Sequence, residues 1–166
     1  MPTKRPTRTA LRRIRLLLLD VDGVMTDGGL YYSGRGEQLK KFNVKDGYGI
    51  VKLRKFGIPV GIITGRVSKI IEQRAGELGI TELHQNLHDK LDAYNRIKKR
   101  LGLKDAEIAY VGDDEPDLLV LERAGFSAAP ADAVLSVQKV VHYICKHAGG
   151  RGAVREVIDI ILNAQS

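Results

Sequence analysis

The chain has 166 residues, a formal net charge of +7, 43% hydrophobic and 28% charged residues. That length suits one domain with a substantial core, and no apolar run approaches the roughly 20 residues of a membrane-spanning helix. Cys145 is the only cysteine, which excludes an intrachain disulfide. The N-terminus lacks the apolar stretch of a signal peptide, so a reducing cytoplasm is the default expectation.

Met1–Arg15 carries six basic residues (Lys4, Arg5, Arg8, Arg12, Arg13, Arg15) and no acid, leaving the remainder with 21 basic and 20 acidic residues. The charge therefore resides in this segment rather than on a basic face. It reads as a solvated, disordered tail over residues 1–14, with nucleic acid and membrane as disfavoured partners. Residues 15–166 are expected to form a single domain. Leu16–Asp20 is a buried strand, and Leu30–Phe42 (LYYSGRGEQLKKF) places β-formers on both sides of a glycine-containing turn. The latter predicts a hairpin flap at about 29–42. Further strands are expected at Pro59–Thr64, Glu107–Gly112, Phe126–Ala128 and Val140–Ile144. Helices are expected at Asp46–Phe56, Ser68–Leu78, Lys90–Leu101, Pro116–Ala124 and Ala153–Asn163, the last within a C-terminal tail and helix over about 148–166. Gly57, Gly79, Gly102 and Gly125 stand where glycines end helices. Strands alternating with helices of about ten residues give an α/β fold, a Rossmann-like doubly wound parallel sheet.

Ligands of such a sheet bind beyond the carboxyl ends of its strands. That rim gathers Asp20 and Asp22 from DVDG, Thr64 from ITGR, Lys90 at a helix start, and Asp113, Asp114 and Asp117 from GDDEPD. Hard oxygen donors suit Mg²⁺, and a lysine with a hydroxyl beside it suits phosphoryl oxygens. The histidine pairs His84/His88 and His142/His147 have ligand-like spacing. No cysteine or acid completes a metal set around them, so they read as surface or core residues.

DVDG, the Thr of ITG, Lys90 and GDDxxD, in that order, resemble the four motifs of the haloacid dehalogenase (HAD) superfamily. A receiver domain shares the Asp, Thr and Lys but lacks GDDxxD. The resemblance implies a HAD-like fold with no cap domain. Asp20 would be the nucleophile that forms an aspartyl phosphate, and Asp22 the general acid and then base. Mg²⁺ would be held by the Asp20 carboxylate, the Asp22 main-chain carbonyl and Asp113, with Asp114 and Asp117 orienting them. Thr64 and Lys90 would bind the phosphoryl oxygens. Strand alternation would place Asp20 and Asp22 on one side, with Val21 in the core.

DVDGVMTDG, KKFNVKDGYGI, IITGR, YVGDD and GGRGAVRE further resemble the capless family of 3-deoxy-D-manno-octulosonate 8-phosphate (KDO 8-phosphate) phosphatases, which act in lipopolysaccharide biosynthesis. That resemblance implies a homotetramer in which hairpins associate and a neighbour's tail helps to close each site. It also implies that Asp22, Asn43, Val44, Lys45, Asp46, Gly47, Arg66, Arg74, Lys90 and Arg151 bind the sugar-acid phosphate. For Arg151, the glycines and helix start of GGRGAVRE make an anion-friendly terminus. Related KDN 9-phosphate phosphatases look to carry Glu where this chain has Arg66, and an arginine there suits a substrate carboxylate. Val51 stands where the family often has a basic residue, with Lys52 next to it. A sugar-acid phosphate phosphatase of other specificity is the alternative within this class. A non-catalytic binding protein on the same scaffold is the alternative outside it.

Overall fold

A computed structural model of the chain describes residues 5–166. Six strands, all parallel, form one sheet in the order β5-β4-β1-β6-β7-β8. They are β1 (Leu16–Leu19), β4 (Val60–Ile63), β5 (Glu82–His84), β6 (Ile108–Val111), β7 (Phe126–Ala129) and β8 (Tyr143–Ile144). A separate antiparallel pair, β2 (Tyr31–Ser33) and β3 (Gly36–Leu39), is the hairpin. The helices are α1 (Arg8–Arg12), α2 (Val44–Phe56), α3 (Lys69–Leu78), α4 (Lys90–Leu101), α5 (Leu118–Arg123), α6 (Leu135–Gln138) and α7 (Ala153–Gln165).

The four leucines of β1 are all fully buried because both faces of the sheet are covered. Leu17 and Leu19 pack with α2, α3 and α7, while Leu16 and Leu18 pack with α4 and α5 on the opposite face. Hydrogen-bonded neighbours flank β1, Val60 opposite Leu17 on one side and Val111 opposite Leu19 on the other. The chain runs from β1 outward to β4 and β5, then returns to β6 on the other side of β1. The strand order thus reverses at β1, where a doubly wound sheet opens its crevice.

Residues 5–15 differ from the expected solvated tail, whose first four residues lie outside the described part. Thr7 caps α1 by accepting a hydrogen bond from the Ala10 amide, and Leu11 and Ile14 are buried. The Arg12 Nε donates to the Ala164 carbonyl at 2.9 Å, and Gln165 reaches the Leu11 carbonyl at 3.2 Å. A basic segment lies down here because the end of α7 presents unpaired carbonyls and the negative pole of its dipole.

The polar strand β5 and the short helix α6 have no sequence signal of the expected kind. The expected strand at Val140–Ile144 shrinks to Tyr143–Ile144. Pro116 sits in a 3₁₀ turn, Glu115–Asp117, ahead of α5. Gly57, Gly79 and Gly102 end helices in the left-handed conformation, but Gly125 does not; a side chain there would strike the backbone of Ala106.

Candidate active site

The site begins where β1 ends. The Asp20 amide continues the ladder by donating to the Val111 carbonyl at 3.0 Å. The chain then turns tightly, as the Val21 carbonyl accepts from the amides of Val24, Met25 and Thr26 at 3.1, 2.8 and 3.2 Å. Val21 is buried in the core. Gly23 has φ +85°, and a Cβ there would collide with the Asp113 carboxylate. Both the conformation and the close approach demand glycine. GGRG supports this loop from behind: a Cβ on Gly149 would overlap the Gly23 carbonyl, and the Gly150 amide donates to the Val24 carbonyl at 3.0 Å.

A cleft of about 440 Å³ brings Asp20, Asp22, Thr64, Arg66, Lys90, Asp113, Asp114 and Asp117 together in one chain, with His88 at its edge. Lys90, at the first turn of α4, places its Nζ 3.1 Å from Asp20 Oδ1 and 2.7 Å from Asp117 Oδ1. Tyr110 also donates to Asp117 Oδ1, at 2.6 Å, and Asp117 Oδ2 accepts from the amides of Asp113 and Asp114 at 3.0 and 3.3 Å. The Thr64 hydroxyl oxygen accepts from the Arg66 amide at 3.3 Å, which leaves its proton free to donate.

Burial raises the Asp20 carboxyl well above its ordinary value, Asp117 and Asp113 push the same way, and Lys90 opposes them. Asp113 is pushed up to about 7, by burial first and then by Asp117 and Asp114. Burial disfavours the Lys90 ammonium, but Asp20 and Asp117 outweigh it and keep the group charged. Asp20, Asp113 and Asp117 each offer an oxygen within 4.8 Å of the others. Both Asp117 oxygens already accept two hydrogen bonds, so this residue orients the cluster. Asp20 and Asp113 retain free lone pairs, and their raised values show that the protein alone does not balance their negative charge once they ionise. Such a set of hard oxygens fits Mg²⁺. Replacing Lys90 by methionine leaves Asp20 and Asp117 facing each other without a counter-charge. Urea unfolding should show a loss of about 3 kcal/mol without added metal, whereas a change under ~0.5 kcal/mol would contradict this account.

Not every expected substrate residue lies in this cleft. Asn43, Val44, Lys45 and Arg151 line a different groove, of about 570 Å³, beside the starts of α2 and α7. Asn43 caps α2 by accepting from the amides of Lys45 and Asp46. Asp46 is buried, and its Oδ1 accepts from the Arg155 amide at 2.8 Å. A carboxylate at the start of α7 is therefore supplied within the chain, and Arg151 is exposed in the groove beside it. Gly47 is buried against the guanidinium of Arg74, which stacks 5.4 Å from the Phe42 ring and pairs with Glu77 at 3.3 Å, outside the carboxylate cleft. Val51 packs on the core and Lys52 is exposed.

The sequence reading missed Lys40 and Glu37. Lys40, on the hairpin, has its side chain 1% exposed and its Nζ 2.6 Å from Asp22 Oδ1. Tyr110, which reads as an ordinary residue of the strand before GDD, is fully buried with its hydroxyl on Asp117. Three histidines have other partners: His84 pairs with Glu82, His147 with Glu156, and His142 Nδ1 accepts from the Ser127 amide.

The model of the haloacid dehalogenase-like hydrolase family matches residues 49–125. The Yersinia pestis 3-deoxy-D-manno-octulosonate 8-phosphate phosphatase KdsC is 51% identical over 152 residues, covering 92% of this chain and 81% of the relative. The Escherichia coli (strain K12) protein of the same name is 49% identical over 152 residues, with coverages of 92% and 81%. The crystal structure of the Yersinia pestis phosphatase superposes with a TM-score of 0.93 at 49% identity, covering 95% of this chain and 85% of that one. A Moraxella catarrhalis 3-deoxy-D-manno-octulosonate 8-phosphate phosphatase, in complex with a magnesium ion, a phosphate ion and a KDO molecule, superposes with a TM-score of 0.92 at 41% identity, with coverages of 95% and 91%. Identity of this order extends across nearly the whole fold and far beyond the four short motifs. The chain belongs to the KDO 8-phosphate phosphatase family of the haloacid dehalogenase-like hydrolases.

Proposed function

We propose that the chain is a Mg²⁺-dependent phosphatase that hydrolyses KDO 8-phosphate to KDO and phosphate through an aspartyl phosphate. The observation that carries the chemistry is the buried Asp20 carboxylate at the end of β1, 3.1 Å from Lys90 and next to Asp113. An Asp20 oxygen attacks phosphorus, and the bond from phosphorus to the sugar oxygen breaks. Asp22 supplies the proton to the leaving alkoxide and then takes one from the water that attacks the aspartyl phosphate. The Thr64 hydroxyl and the Lys90 ammonium hold the phosphoryl oxygens, and Asp114 and Asp117 keep Asp113 and Lys90 in place. Mg²⁺, held by the Asp20 and Asp113 carboxylates and the Asp22 main-chain carbonyl, supplies positive charge for the phosphoryl oxygens.

Arg66 lines the same cleft with 40% of its side chain exposed, and it is assigned to the substrate's carboxylate. Phosphate release should favour KDO 8-phosphate over KDN 9-phosphate in kcat/KM, and Arg66→Ala should raise KM for KDO 8-phosphate by about tenfold or more. A preference for KDN 9-phosphate would overturn the substrate assignment.

The hairpin exposes Leu30, Tyr31, Tyr32 and Leu39. Two strands alone are marginal in water, so this apolar edge supports self-association, proposed here as a homotetramer built on the hairpins. In that assembly, Asn43–Lys45 and the Arg151 segment of one copy would reach a neighbour's cleft. Sedimentation should give a tetramer at micromolar concentration; a monomer would refute the assembly. The proposed setting is cytoplasmic, in keeping with the single buried cysteine, Cys145.

A further inference from the structure

The hairpin has two edges of opposite character, and the inner one is charged. Lys40 Nζ lies 2.6 Å from Asp22 Oδ1 and 3.0 Å from Glu37 Oε2. Glu37 Oε1 accepts from the Ser68 hydroxyl at 2.8 Å, and Glu37 Oε2 lies 3.6 Å from Arg66 Nη2. The same Nη2 donates to the Tyr32 hydroxyl at 2.6 Å, while Arg66 Nε faces Asp22 Oδ2 at 3.6 Å. Burial pushes the Glu37 carboxyl up, but the hydrogen bonds from Lys40 and Ser68 outweigh it and keep the group ionised.

We propose that Glu37 is a positioning residue for substrate selection: its carboxylate ties the hairpin to the body through Ser68 and fixes where the Arg66 guanidinium sits. Arg66 is a long, flexible side chain that follows Gly65 on a loop, and without an anchor it would sample many rotamers. Glu37 and Tyr32 hold one end of the guanidinium, and Asp22 faces the Nε edge. Glu37 meets no atom of the cleft's carboxylate cluster directly. Its influence on the substrate runs through Arg66, while Lys40 keeps its own contact with Asp22. Selectivity for an acidic sugar phosphate is thereby coupled to the seating of the hairpin. This inference rests on the assignment of Arg66 to the substrate's carboxylate.

The test uses the full chain with Mg²⁺ and two substrates: KDO 8-phosphate, and p-nitrophenyl phosphate, which has no carboxylate. Glu37→Gln preserves side-chain size and an acceptor for Ser68 but removes the charge. It should raise KM for KDO 8-phosphate about tenfold with kcat changed less than about twofold, so that selectivity over p-nitrophenyl phosphate falls about tenfold. In an Arg66→Ala background, the same substitution should leave that selectivity where Arg66→Ala alone put it. Equal losses on both substrates, or losses that add to those of Arg66→Ala, would show a merely structural role and overturn the inference. If Arg66→Ala raises KM and Glu37→Gln does not, this inference alone fails. If Arg66→Ala leaves KM for KDO 8-phosphate at the wild-type value, the assignment of Arg66 fails and takes this inference with it.

Discussion

Asp20→Asn should lower kcat for phosphate release by roughly 10⁴-fold or more while leaving the chain folded. The amide keeps the volume of the carboxylate and an oxygen to accept from Lys90, but it cannot form the acyl phosphate. Nor can any nearby group replace it. Asp117 has both oxygens occupied by Lys90, Tyr110 and two amides, and Asp22 is engaged by Lys40. The substitution also removes one charge from a cluster in which burial and two acidic neighbours already penalise Asp20. The metal-free variant should therefore unfold at a temperature no lower than that of the metal-free wild type. Phosphate release within about tenfold of wild type would exclude Asp20 as nucleophile, and a collapse in melting temperature would show that the loss of activity was structural.

The sequence shows this centre clearly for a physical reason. A parallel sheet with both faces covered needs continuous apolar strands, so LLLL, GII and IAYV stand out, and the acids that follow them necessarily lie at one rim. Asp20, Asp22, Thr64, Lys90 and Asp113 were each legible from one local signal, a strand end or a helix start. What could not be read depends on contacts distant in sequence. Lys40 looks like any surface lysine until the hairpin folds over Asp22, which lies 18 residues earlier. Tyr110 alternates with Val111 like any strand residue, and only the packing of α5 sets its hydroxyl against Asp117. The anion partner of the α7 start was hidden for a related reason. A helix start with glycines attracts an anion, but Asp46, 109 residues before Arg155, already provides one. α1 was missed because composition outweighed pattern. Leu11 is the buried residue of α1 and Ile14 follows it just past the helix, both within a run of arginines, and the partner that stabilises them is at the far end of the chain.

Chelation should abolish phosphate release, and Mg²⁺ should restore it; activity that survives exhaustive EDTA treatment would refute the proposed cofactor. Mg²⁺ should also stabilise the fold, and the size of that effect should depend on pH in a definite sense. Asp113 has an ordinary carboxyl value of 3.8 that the fold pushes up to about 7, and Asp20 is raised as well. A carboxyl whose value is raised by folding binds its proton more tightly in the native state. Its favourable contribution is therefore complete below about 4 and is lost as pH rises through about 7. For these groups, the metal-free chain should lose stability between pH 5 and 8, on the order of a few kcal/mol. A divalent cation replaces the lost protons as the counter-charge, so the rise in melting temperature on adding Mg²⁺ should be larger at pH 8 than at pH 5. The Asp113→Asn variant separates this from any general effect of ionic strength. It should flatten the pH dependence of the metal-free chain and reduce the response to Mg²⁺. An equal Mg²⁺ response at both pH values, or one unchanged in Asp113→Asn, would mean that the cation acts elsewhere on the protein.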